Sequence, residues 1–180
     1  PGGTRRSIEV RKTRGHGHLS GRHPFDFSSE AGMTIYPHRK PSVQTDDFDP
    51  SGALERVNTG VRGLDYLMHG GYVKGSSNLL AGTAGAGKTT FALEYIAAGL
   101  RAGETCLLVA LNESPRRLEE MLCRMGVDVT TALEEGRLII HYAVPVELCV
   151  EKLYCDIEAI LKKSNATRLV LDGVSDFTTS

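Results

Sequence analysis

The order of apolar and polar positions changes character twice along the chain. Residues 5–14 are basic but carry the β-forming Ile8 and Val10, after which Gly15, Gly17, Gly21 and Pro24 break the pattern. Phe25, Phe27, Ile35 and Tyr36 predict two short strands on either side of a turn at Ala31-Gly32. From Pro37 to Pro50 the chain is polar, with three prolines and with Asp46, Asp47 and Asp49, and reads as a linker. Strands and helices alternate beyond it. Asn78–Ala81 predicts a short strand, and Phe91, Leu93, Ile96, Ala97 and Leu100 recur at helical spacing. Thr105–Leu111 is nearly all apolar, as a parallel strand covered on both faces should be. Ser114-Pro115 opens a helix that Gly126 ends. Arg137–Tyr142 is a further strand. Val150, Leu153, Ile157, Ile160 and Leu161 mark an apolar helix face, and Leu169–Leu171 a last strand that ends at Asp172. This alternation predicts a doubly wound parallel α/β sheet; no internal repeat is visible.

Composition narrows the class without changing it. Hydrophobic residues make up 41% and charged residues 24% of 180, which excludes a disordered, collagen-like or disulfide-framework chain. No apolar run approaches the ~18 residues of a membrane span. The chain opens on Pro1 and closes on Thr178-Thr179-Ser180, so we expect a piece of a longer reading frame. Its net charge of −1 is unevenly placed: residues 1–43 hold eight Lys/Arg against three acidic residues, +5, leaving −6 for the rest. Such an arm suits either a nucleotide or nucleic-acid contact or a solvated face. Cys106, Cys123, Cys149 and Cys155 form no C-x-x-C pair and read as buried, reduced thiols, which suits a cytoplasmic protein. His16, His18 and His23 lack a partner at metal-ligand spacing.

One segment carries specific chemistry. Gly82-Thr83-Ala84-Gly85-Ala86-Gly87-Lys88-Thr89 fits G-x-x-x-x-G-K-[ST] at every fixed position. Glycines let the backbone N–H groups of Ala84, Gly85, Ala86, Gly87 and, entering the helix, Lys88, Thr89 and Thr90 converge on phosphate oxygens. Lys88 would reach the β- and γ-phosphates of a nucleotide, and the Thr89 hydroxyl would ligate Mg²⁺. Asp172, at the carboxyl end of its strand, is the candidate second carboxylate for that cation.

Three segments in order carry a family resemblance: Asn58-Thr59-Gly60-Val61-Arg62-Gly63-Leu64-Asp65, then His69-Gly70-Gly71-Tyr72-Val73-Lys74-Gly75, then the phosphate loop. Together they resemble the RecA superfamily and, within it, the KaiC proteins. These are tandem ATPases with two RecA-like domains per chain, assembled as double-ring hexamers. The arm Glu9-Val10-Arg11-Lys12-Thr13-Arg14-Gly15-His16-Gly17-His18, with His23-Pro24-Phe25, resembles the segment that ends a first KaiC domain. The resemblance implies a RecA-like P-loop core, a parallel sheet with helices on both faces, incomplete here and preceded by a short basic β-hairpin segment. It implies a first-domain tail over 1–37, a linker over 38–54 and the N-terminal half of a second domain over 55–180. The ligands implied are ATP and Mg²⁺, and the partner is the chain itself in a homo-hexameric ring. Signalling partners belong to the same expectation, whereas nucleic acid and membrane do not.

The resemblance also assigns roles residue by residue. Lys12, Arg14 and His18, with Thr13 and His16 beside them, would reach the ATP of a neighbouring subunit. The family's acidic pair after the next strand reads Asn112-Glu113 here, so an amide stands where the general base is expected. Glu113 could substitute, although on a strand it would face the opposite way. Met125 would either pack adenine or belong to the core. The implied function is a Mg·ATP-binding KaiC-like ATPase with a circadian-clock-like or signalling role. A hydrolysis-poor, nucleotide-dependent scaffold is the alternative, and a DNA recombinase or helicase of the superfamily a weaker one. Any autophosphorylation sites would lie beyond Ser180.

Overall fold

The computed structural model describes residues 6–38, 54–144 and 149–174. In chain order these form β1 (Ser7–Glu9), β2 (Arg22–Ser28), β3 (Gly32–Ile35), β4 (Arg56–Val57), α1 (Arg62–Leu67) and β5 (Tyr72–Val73). There follow α2 (Lys88–Arg101), β6 (Cys106–Ala110), α3 (Pro115–Arg124), α4 (Val129–Glu134), β7 (Leu138–Tyr142), α5 (Val150–Ser164) and β8 (Arg168–Asp172). They group into two compact units: residues 6–38 with 149–163, and 54–143 with 164–174.

In the first unit β1, β2 and β3 form an antiparallel sheet in that order. The predicted pair of strands is β2 and β3, and their turn is closed by the Ala31 N–H donating to Ser28 Oγ at 2.9 Å. Phe25 pairs with Ile35 and Phe27 with Met33, while the alternate residues Asp26 and Thr34 pair on the other face. Helix α5 meets that second face: Lys152 Nζ donates to Asp26 Oδ2 at 2.9 Å and lies 5.8 Å from the Tyr36 ring centroid. Of the apolar face expected on α5, only Leu153 is buried; Val150 is 58% exposed.

The second unit is a parallel sheet in the order β7-β6-β8, with Leu108 in register with Ile140 and Val170. All five β6 residues are buried, which explains the unbroken apolar run that marked it in the sequence. Cys106, Leu108 and Ala110 face a core formed by Leu93, Ile96, Ala97 and Leu100 of α2, Leu118 and Leu122 of α3, and Val129 and Ala132 of α4. Removing one such leucine side chain costs about 2–5 kcal/mol through lost transfer energy and the cavity left behind.

Three sequence expectations change here. The run at Asn78–Ala81 is not a strand: the described residues bond it to no neighbouring strand, and Leu79 stands 85% exposed. Apolar composition without a ladder partner does not make a strand. Ser114 precedes α3 as predicted, but its side chain makes no capping hydrogen bond. Of the cysteines only Cys106 is buried; Cys123 is exposed and Cys149 and Cys155 are half-buried, all four as free thiols. Burial pushes the Cys106 thiol up to about 12.

A buried ion pair, which the sequence reading missed, ties the base of this unit together. Arg168, 2% exposed at the start of β8, holds Glu104 in a two-pronged bridge, Nη2 to Oε1 at 2.8 Å and Nε to Oε2 at 3.0 Å. Its Nη1 donates to the carbonyls of Asn58 at 2.8 Å and Tyr95 at 3.0 Å, and the guanidinium lies 4.6 Å from the Tyr95 ring centroid. Hydrogen bonds from Arg168 hold the Glu104 carboxyl below the usual carboxylate range. One cation therefore joins α2, β8 and the segment that carries Asn58-Thr59-Gly60.

Candidate nucleotide site

The phosphate loop enters α2 through Gly87, the N-cap residue, in the left-handed region at φ 82° and ψ 19°. Gly85 shares that conformation at φ 77°, which favours glycine over any side chain. A Cβ added to either would meet no atom within 4 Å, so the space beside the loop backbone is open for a ligand. No side chain caps α2, and no acidic residue lies in its first turn. Its leading N–H groups and the positive end of its dipole thus remain available to an anion. Ala84, Gly85, Ala86 and Gly87 are exposed, as is Thr90, while Lys88 and Thr89 are half-buried. Lys88 Nζ donates to the carbonyls of Gly82 and Thr83, both at 2.8 Å, which keeps the ammonium over the loop.

Thr89 and Asp172, 83 residues apart, are in direct contact, Thr89 Oγ1 donating to Asp172 Oδ2 at 2.8 Å. Parallel pairing places Asp172 opposite Ala110 at the carboxyl edge of the sheet, where ligands of such sheets gather. A hydroxyl and a carboxylate beside a nest of backbone donors form an oxygen-rich set suited to a hard divalent cation and a polyphosphate.

Asn112 and Glu113 follow β6 in a bend and not on the strand itself. The side-chain amide of Asn112 lies beside the turn after Asp172: a Cβ on Gly173 would come within 3.1 Å of its Nδ2. Glu113 is engaged elsewhere, its Oε2 lying 3.1 Å from Arg117 Nε one turn into α3. The structure therefore brings the Asn112 amide beside Gly173, the residue after Asp172, and directs Glu113 to an arginine. Met125 ends α3 and packs against the core, while its carbonyl accepts from Arg101 Nη2 at 2.7 Å.

The segment before the loop is held by hydrogen bonds of its own. Thr59 is fully buried, and its N–H and hydroxyl both donate to Asp65 Oδ1, at 2.8 and 2.7 Å. Gly60 sits at φ 83°, and a Cβ there would lie 2.5 Å from the Glu94 carbonyl of α2. The Asn58–Asp65 motif is thus a brace against the side of the helix that carries Lys88 and Thr89.

The basic turn belongs to the first unit. Thr13 Oγ1 donates to the His16 carbonyl at 2.7 Å and lies 3.1 Å from His18 Nδ1, so Thr13, His16 and His18 are one local cluster. Lys12 and Arg14 flank it, both exposed. His23 stands apart from them, 5% exposed, with both ring nitrogens in hydrogen bonds to backbone groups. Among the described residues no group of three His, Cys, Asp or Glu side chains has metal-binding geometry, and no helix is long and apolar enough to cross a membrane.

A parallel sheet, a glycine loop that opens a helix under a lysine, and a hydroxyl–carboxylate pair at the sheet's carboxyl edge define a P-loop nucleotide-binding protein. The family model of the KaiC ATPases matches residues 57–180, and the chain belongs to that family. It is 32% identical over 176 residues to the circadian clock protein KaiC2 of Synechocystis sp., covering 97% of this chain and 30% of that protein. It is 29% identical over 171 residues to the circadian clock oscillator protein KaiC of Parathermosynechococcus lividus, covering 95% of this chain and 30% of that protein. The circadian clock protein KaiC3 of Synechocystis sp. is 28% identical over 171 residues, covering 95% of this chain and 33% of that protein. The chain thus spans about a third of the length of the curated relatives it matches.

Proposed function

We propose that the chain supplies a Mg·ATP site to a ring-forming KaiC-type ATPase with a signalling or clock-like role. On this reading residues 55–180 are the first half of a second domain, and residues 1–37 are the tail of a first. The hydrogen bond between Thr89 and Asp172 carries the proposal, because it joins two groups that the chemistry of a metal-bound nucleotide needs together. Ala84–Thr90 would hold the phosphates, Lys88 their negative charge, and Thr89 and Asp172 the cation. Magnesium, when bound, supplies charge neutralisation on the phosphate oxygens. Lys12, Thr13, Arg14, His16 and His18 would serve a different nucleotide, that of a neighbouring subunit's first domain. The test is calorimetric titration of the full-length protein with Mg·ATP: Lys88→Ala should abolish one class of sites. Unchanged binding by that variant refutes the assignment.

Asn112 favours a second reading, in which the site binds ATP firmly and turns it over slowly. Its carbonyl oxygen can hold a water by hydrogen bond but cannot take its proton, and Glu113 is paired with Arg117. Asn112→Glu should raise ATP hydrolysis by about 10²-fold, the usual worth of a general base, with little change in affinity. Turnover is measured in full-length protein whose first phosphate loop has been disabled. Brisk hydrolysis by the unmodified site, insensitive to Asn112→Ala, would exclude the scaffold reading.

A further inference from the structure

Residues 10–21 contain no strand or helix, and apart from the half-buried Thr13 their side chains are exposed; Leu19 itself is 58% exposed. Apolar burial therefore does not hold this turn in place. Apart from an exposed Glu9–Arg11 pair at 3.7 Å, the buried group that reaches it from the described sheet is His23, on β2. The His38 backbone N–H donates to His23 Nδ1 at 2.9 Å, so that nitrogen carries a lone pair and the proton resides on Nε2. Nε2 lies 3.2 Å from the Leu19 carbonyl and is thereby its donor. His38 is fixed in turn by its own ring, with Nδ1 3.1 Å from Glu151 Oε1 on α5.

We propose that His23 is a positioning residue for the basic turn. As a buried imidazole with one donor and one acceptor nitrogen it bridges the carbonyl next to His18 to a backbone anchored on α5, and so sets where Lys12, Arg14 and His18 present their side chains. This rests on the reading that those residues meet a neighbour's nucleotide. No apolar or hydroxyl side chain offers a donor and an acceptor on two separate atoms of a rigid group; only an amide comes close.

The experiment uses full-length protein carrying Lys88→Ala, so that the remaining ATP binding reports the other ring. Losing both bonds of the bridge in His23→Leu should weaken that binding by ~10-fold, whereas His23→Gln, which keeps a donor and an acceptor, should stay within ~2-fold. If His23→Gln weakens binding as much as His23→Leu, the bridging role is wrong. If Lys12→Ala/Arg14→Ala weakens binding and His23→Leu does not, the positioning role fails while the nucleotide role of the arm stands. If neither variant weakens it, the arm reading itself fails and the proposal falls with it. A measurement on unmodified protein guards against a variant that does not fold: imidazole nitrogen–proton correlation spectra should show His23 as the Nε2–H tautomer at neutral pH. Observation of the Nδ1–H tautomer overturns the proposal.

Discussion

Replacing Glu104 by glutamine isolates the electrostatics of the buried pair, because shape and most packing survive while the charge and one of two acceptor oxygens do not. Arg168 cannot lose its proton, and at 2% exposure water cannot compensate it. Breaking a buried pair from one side costs about 3–5 kcal/mol. Glu104 is 30% exposed, so part of its attraction is already screened, and ~2–3 kcal/mol is the better expectation. For a domain of this size that corresponds to a fall in Tm of roughly 4–12 °C. The sign with pH follows from the lowered Glu104 pKa. Its stabilising contribution is complete above the unfolded carboxylate pKa and disappears as pH falls through the folded value. Urea unfolding followed by circular dichroism, at neutral pH and again in the acid range at constant ionic strength, should show the gap between wild type and Glu104→Gln closing on acidification. A variant within ~1 kcal/mol of wild type at neutral pH would refute the argument, since exposed surface pairs give up to about that much. A gap that acid leaves untouched would refute it equally.

Two further outcomes follow from burial and backbone geometry. A maleimide reagent should modify Cys123 rapidly in native protein and leave Cys106, whose thiol is held up at about 12, until unfolding; mass spectrometry of labelled peptides checks the order, and early Cys106 labelling contradicts the packing. Gly60→Ala should lower stability by more than ~1 kcal/mol, because the residue is at φ 83° and its new methyl would meet the Glu94 carbonyl; thermal unfolding reads the loss, and an unchanged Tm would show that the brace is not tight.

Elements covered on both sides or opened by a strong signal were legible in the sequence. β6 announced itself because every one of its residues is buried, and α2 because its phosphate loop has a residue pattern of its own. Helix α4 was missed although Asp128 accepts from the Thr131 N–H at 3.1 Å, a capping signal visible as D-x-x-T. Asn78–Ala81 misled because an apolar run states only that burial is wanted, while a strand also requires a neighbour. The nucleotide loop and Asp172 could be paired by chemistry, since the ligand demands both. Nothing local relates Arg168 to Glu104, 64 residues earlier, or His23 to the His38 N–H. Those contacts are made by the fold, and each looks unremarkable in a linear reading.

The two loop carbonyls that hold Lys88 imply a threshold. The ammonium has acceptors of its own at 2.8 Å, so a ligand gains its help only by outbidding them. A monoanion that touches the backbone donors alone offers little reason for the lysine to leave. A polyphosphate that places several charged oxygens around the same nitrogen does, because a full negative charge attracts the ammonium more strongly than a carbonyl dipole does. On the proposed nucleotide reading the loop would act as a filter on ligand charge density before any other part of the nucleotide is read. It should respond steeply to the number of phosphates and weakly to inorganic anions at the same concentration.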